Sequence, residues 1–202
     1  MTRRPRRSTA ALAGAVALGV ALTGCSTSDD LARQYTEGGN KGYIAGDGSV
    51  TEIPVEERGD PVVFDGTVED GSTVSSADYA GEVLVVNFWY ASCAPCRAEA
   101  PDLKDISEQF AGDGASFLGV NVRDQAASAI AFNESYSIGY PSVMDVDDGG
   151  MQLAFSGNIP PNAVPTTLVL DGSGRVAARI LGQVSAPSIL ETLIEDTIAE
   201  DG

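Results

Sequence analysis

Residues 83–101, VLVVNFWYASCAPCRAEAP, decide the fold. Residues 83–90 (VLVVNFWY) form an apolar run broken only by Asn87, the pattern of a strand buried on both faces. Residues 95–110 read as a helix, with Leu103, Ile106 and Phe110 along one side. Between them lies Cys93-Ala94-Pro95-Cys96, directly after the strand and opening the helix. A helix N-terminus offers unpaired N–H groups and about half a positive charge. Both favour thiolate at Cys93, expected as the exposed thiol; thiols so placed titrate at about 3.5–7.5 instead of about 8.5. Cys96, one turn further in, is the expected resolving thiol. Pro95 falls in the first turn, where a missing N–H costs little. Pro101 lies inside the helix and is expected to kink it.

Outward from this stretch the pattern is that of one domain. Residues 116–122 (SFLGVNV) predict a second buried strand and residues 125–136 a helix. Residues 142–146 predict a short strand, and 151–155 a helical turn. Residues 166–170 (TTLVL) and 175–181 (RVAARIL) are strands joined by the turn sequence 171–174 (DGSG). Residues 186–199 form a final amphipathic helix. Ahead of residue 83, the segments 62–64 and 73–74 flank the turn-rich 69–72 (EDGS), an expected hairpin. Strands separated by helices imply parallel pairing, and the last two strands a hairpin.

The 202 residues carry a net charge of −17 and no histidine. Without histidine there is no Ser-His-Asp or Cys-His hydrolase arrangement and no imidazole metal site. Four arginines crowd residues 1–7; beyond residue 24 the chain has 29 acids against 8 bases, a net −21. Such a surface repels nucleic acid and anionic headgroups, so membrane attachment must be covalent.

The N-terminus reads as an address. Residues 2–7 (TRRPRR) are a basic region, followed by the 13-residue apolar run 10–22. That run is too short to cross about 30 Å of hydrocarbon, which takes about 20 residues, and has the length of a signal-peptide core. Residues 22–25 (LTGC) resemble a bacterial lipobox, which implies cleavage before Cys25 and its lipidation. The expected organisation is a lipoprotein signal peptide at 1–24, a lipidated N-terminus and flexible tether at 25–60, and a folded domain at 61–202. The alternation in 42–54 allows part of the tether to pair as an extra strand. With Cys25 assigned to lipid, Cys93 and Cys96 are the two of three cysteines left. The mature chain then has only a tight local disulfide, suited to exchange. A zinc site would need two more ligands.

The chain resembles the thioredoxin superfamily, in its TlpA/ResA/DsbE-like branch. The matching residues are Asn87-Phe88-Trp89, residues 93–101 (CAPCRAEAP) and residues 164–172 (VPTTLVLDG), and the likeness covers about residues 60–200. It implies an α/β, thioredoxin-like fold, a central mixed sheet flanked by helices, with an N-terminal β-hairpin addition. It implies thiol–disulfide exchange with protein substrates, Cys93 attacking and Cys96 resolving, and no cofactor. Pro165 is then a cis-proline, and Val164-Pro165 offers backbone to a substrate, with Trp89 and Pro95 as further contacts; Trp89 read alone is better suited to the core than to a substrate contact. Glu99, a common type of first-turn surface residue, becomes by this resemblance a proton carrier beside the disulfide, since Asn87 stands where thioredoxin has a titrating aspartate. The chain departs from the branch at Ser92, where tryptophan is usual. Electrons require an integral-membrane thiol partner. The implied role is reduction of apocytochrome c by a monomeric, lipid-anchored, extracytoplasmic protein. An oxidase for exported proteins, a peroxidase and a non-catalytic binding or chaperone lipoprotein stay open.

Overall fold

The computed structural model describes residues 48–160 and 163–201. The expected signal peptide, Cys25 and the tether up to residue 47 lie outside the described residues.

Chain order begins with β1 (Ser49–Glu52), the hairpin strands β2 (Asp65–Thr67) and β3 (Thr73–Ser75), and β4 (Val83–Trp89). There follow α1 (Ala94–Phe110), β5 (Ala115–Asn121), α2 (Ala126–Tyr136), β6 (Ser142–Met144) and α3 (Gly150–Ala154). The chain ends with β7 (Thr166–Leu170), β8 (Val176–Leu181) and α4 (Pro187–Asp201). Six strands make one mixed sheet in the order β1-β8-β7-β4-β5-β6. β4 and β5 pair in parallel, as do β5 and β6, whereas β7 runs antiparallel to both β4 and β8. This is the thioredoxin-like sheet expected, with the β2–β3 hairpin added to it.

Strand alternation explains the two cores. Val83 and Val85 of β4 face Leu103, Ile106 and Phe110 of α1 and Leu190, Leu193 and Ile194 of α4. Leu84, Val86 and Phe88 face the other way, onto Met151, Phe155 and Phe64. By the same parity Asn87 points to the α1 side. A polar residue buried at 4% exposure on that face must find polar partners there.

Two boundaries differ from expectation. None of the expected strand 62–64 lies in the hairpin, whose first strand begins at Asp65; Phe64 is buried, its ring centroid 5.9 Å from that of Phe155. The strand at 142 stops at Met144, because Asp145 turns to accept the Met151 and Gln152 N–H groups at 2.7 and 3.1 Å. The hairpin docks on β6 through a Val68–Val143 bridge. Gly66 permits this approach, since a Cβ there would lie 2.4 Å from Val143 Cγ1.

Residues 49–58, assigned to the tether by sequence, belong to the fold. β1 pairs antiparallel with β8 from Ser49–Leu181 to Glu52–Ala178, as the alternation in 42–54 allowed. Arg58 reaches Asp171 at 3.1 Å and also Glu200. All four β1 residues are exposed, so main-chain hydrogen bonds hold this strand, and a burial pattern could not reveal it.

Candidate active site

The redox candidates sit where β4 passes into α1. Cys93 is the N-cap of α1, and its Sγ accepts the Cys96 N–H at 3.2 Å. That contact is the helix-terminus hydrogen bond which favours a thiolate. The two cysteines form a disulfide, with Cα atoms 5.3 Å apart. Cys93 was expected to be exposed, but its exposure is 0%. Its sulfur is bonded to Cys96 and packed in a cluster with Trp89, Tyr90, Ala100 and Val164. Pro95 lies in the first helical turn, half-buried.

The segment leading into Cys93 is braced from β5. Asp124 Oδ2 accepts the Ala91 N–H at 2.6 Å and the Asn121 side-chain amide at 2.9 Å. Asn121 Oδ1 in turn accepts the Arg123 and Asp124 N–H groups. The Arg123 guanidinium lies 4.4 Å from the centre of the Tyr90 ring. Sequence reasoning missed this brace, although an Asn-x-x-Asp at a strand end is a recognisable loop-capping pattern.

The Val164–Pro165 peptide bond is cis. Val164 packs in the same apolar cluster as both cysteines, and the Pro165 carbonyl accepts the Gly182 N–H at 2.9 Å. Trp89, an expected substrate contact, is 4% exposed and lies inside the protein. Its ring packs on Phe132 at 4.3 Å, and its Nε1 donates to Ser142 Oγ at 3.3 Å. As the last residue of the buried strand β4, it underlies the site instead of lining its surface. Gly119 makes room for that bond, because a Cβ there would meet Ser142 Oγ at 2.2 Å and Trp89 Nε1 at 2.8 Å.

Glu99, one turn beyond Cys96, is 0% exposed. Its Oε1 accepts from Asn87 Nδ2 at 3.0 Å and its Oε2 from the Val184 N–H at 2.8 Å. Asn87 Nδ2 also donates to Thr167 Oγ1 at 3.0 Å. Burial pushes the Glu99 carboxyl up to about 7, against the two hydrogen bonds that favour the charged form. The buried Tyr140 hydroxyl is likewise raised by burial and by the Glu99 charge. Thr167, Val184 and Tyr140 come from β7, the segment after β8 and the loop before β6, so no local motif points to them.

Known proteins echo this arrangement. A Geobacillus kaustophilus protein named thiol-disulfide oxidoreductase ResA is 31% identical over 113 residues, 56% of this chain and 62% of that protein. The chain thus spans about three fifths of that relative's length. A crystal structure described as a secreted thiol-disulfide isomerase from Corynebacterium glutamicum matches with 30% identity and a TM-score of 0.67, covering 78% of this chain and 96% of that one. A DsbF homologue from Corynebacterium diphtheriae matches with 33% identity and a TM-score of 0.66, over 78% and 99% of the two chains. The profile of the AhpC/TSA family covers residues 59–179, more than half of the sequence, and with a thioredoxin-like sheet beneath that match the chain belongs to the AhpC/TSA family.

Proposed function

We propose that this chain is an extracytoplasmic thiol–disulfide oxidoreductase that acts on protein disulfides through Cys93 and Cys96. The observation that carries the reading is a disulfide closed across the first turn of α1, with the Cys93 sulfur bonded to the Cys96 N–H. In the reducing direction, a Cys93 thiolate attacks a substrate disulfide and one substrate sulfur leaves with the electron pair. Cys96 then attacks Cys93, the S–S bond closes, and the second substrate sulfur is released. Glu99, buried one turn away and near neutrality in its pKa, takes the Cys96 proton. Val164 and Pro165 present backbone to the extended substrate, with Pro95 at the rim. The Cys93 sulfur must be uncovered on reduction or docking, since it is buried in the oxidised form.

The physiological role proposed is reduction of apocytochrome c, with electrons supplied by an integral-membrane thiol protein. The ResA name of the Geobacillus relative supports an oxidoreductase, and the secreted Corynebacterium structure an extracytoplasmic location. Domain limits of 1–24 for a signal peptide and Cys25 for the lipid anchor remain part of this proposal, with the folded domain extended upstream to include β1. A redox titration of the purified domain, paired with a Cys96→Ser trap in cells, tests it. Expected are a reducing potential and captured mixed disulfides on Cys93. An oxidising potential would turn the reading to disulfide formation, and a trap that captures nothing would sink exchange with proteins. Peroxide-dependent turnover that survives loss of Cys96 would make the protein a peroxidase instead.

A further inference from the structure

A buried base that takes a proton in every turnover must also release it, and Glu99 has no surface of its own. A cavity opens next to its neighbours Asn87 and Cys96. Its volume is about 10 Å³, room for about one water, and it is lined by Asn87, Cys96, Asn133, Tyr140 and Ser142, with apolar neighbours. Asn87 is the residue that holds Glu99. The cavity wall has unused hydrogen-bonding capacity. Asn133 Nδ2 donates to Glu69 Oε1 at 2.9 Å, yet its buried Oδ1 accepts from none of the described residues. Ser142 Oγ accepts from Trp89 and retains its own hydroxyl hydrogen for donation. A surface groove of about 530 Å³ between α2 and the loop before β6 shares Asn133, Ile138 and Tyr140 with the cavity. Those three residues border both the cavity and the groove.

We propose that this cavity is a water site, held by Asn133 and Ser142, and that its water conducts the Cys96 proton to the groove. The inference rests on the exchange reading above. In the resolving step the Cys96 S–H bond breaks, and its electron pair forms the Cys96–Cys93 bond. The bond from Cys93 to the substrate sulfur breaks, and that pair leaves on the substrate sulfur. The cysteine pair thus delivers two electrons to the substrate disulfide, while the Cys96 proton leaves by the water of the cavity that Cys96 lines, Glu99 standing one hydrogen bond behind through Asn87. Asn133 and Ser142 are positioning residues, since neither touches the reacting sulfur of the substrate.

The test uses the resolving step, followed by the fluorescence of Trp89, the one tryptophan of the chain, in H₂O and D₂O. Asn133→Leu keeps the forked shape of the side chain, with somewhat greater bulk, and removes the acceptor for the water. It also breaks the bond to Glu69, so Glu69→Ala, which removes that bond together with the one from the Ser142 N–H but leaves the Asn133 acceptor and the Ser142 hydroxyl in place, controls for a loosened hairpin. Asn133→Leu is expected to slow resolution about tenfold or more and to enlarge the solvent isotope effect, on the usual scale of general acid–base steps. Ser142→Ala is expected to act in the same sense by a smaller factor. Alkylation of reduced Cys93 by iodoacetamide should keep its wild-type rate in both, and Glu69→Ala should resolve at close to the wild-type rate. Wild-type resolution by both Asn133→Leu and Ser142→Ala would overturn the proposal, as would an equal loss in Glu69→Ala. Wild-type protein that exchanges no disulfide at all would instead overturn the exchange reading beneath it.

Discussion

Glu99 titrates in a place where charge is costly. Burial raises its pKa from 4.5 to about 7, the hydrogen bonds from Val184 and Asn87 oppose the rise, and the Asp102 charge adds to it. Between those two values the folded protein binds more protons than the unfolded chain. Stability is therefore fully present below about pH 4.5 and falls as pH rises towards 7. The shift corresponds to roughly 3 kcal/mol lost across that interval. Urea titrations at pH 4.5 and pH 8 should show this loss in the wild type and not in Glu99→Gln, whose side chain has no charge to bury. Equal pH slopes in the two proteins would remove the desolvated-acid account. Sequence alone put Glu99 beside the disulfide only by family likeness, because a first-turn glutamate is ordinary on a helix surface. What decides its state is burial, opposed by Asn87, twelve residues earlier on the opposing strand face, and by a main-chain N–H at Val184.

At the scale of elements, the site is a strand end, a helix start and the supports behind them. The supports depend on one missing side chain. β5 and β6 pair with Gly119 opposite Ser142, and the Trp89 indole crosses above Gly119 to reach Ser142. A methyl group at Gly119 must displace either the Ser142 hydroxyl or the indole. Gly119→Ala is expected to cost about 1–3 kcal/mol in denaturant unfolding. It should also shift the Trp89 emission, since the ring loses its hydrogen bond. An unchanged spectrum with unchanged stability would mean the strand moves aside freely. β4, β5, β7 and β8 were legible because apolar runs reported their burial, and α1 because Leu103, Ile106 and Phe110 keep helical spacing. β1 was legible only as the alternation in 42–54 that allowed an extra strand, because its side chains bury nothing. The Asp124 brace was missed for a related reason, as its partner is the main-chain N–H of Ala91, thirty-three residues away.

Over the whole molecule, the first and last described segments are tied through one guanidinium, that of Arg58. Asp171, in the turn between β7 and β8, accepts from Arg175 and from Arg58, whose guanidinium also meets Glu200 of α4. Burial works to raise the Asp171 pKa, but the Arg175 N–H and the two guanidinium groups outweigh it and hold the carboxyl below its ordinary value. This group therefore contributes stability above the ordinary carboxylate range, and that contribution is lost as pH falls through its lowered pKa. Glu99 and Asp171 slope in opposite directions, so the joint contribution of these two groups is largest between about pH 3.8 and 4.5, the ordinary values of the two carboxyls. Arg58→Ala is expected to cost on the order of 1–3 kcal/mol, since Asp171 keeps Arg175. Hydrogen exchange should show β1 opening first in that variant, and an undisturbed β1 would mean its pairing with β8 suffices alone.

The two margins of the large sheet are managed differently. On β6, the Ser142 N–H and carbonyl that face outward are both taken by Glu69, through its side chain at 2.7 Å and its main chain at 3.2 Å. On the far side, β1 is only four residues long and ends in Glu52. A sheet so finished offers little template for strand-to-strand aggregation. Under crowding, a neighbouring copy would find no long strand edge to extend among the described residues.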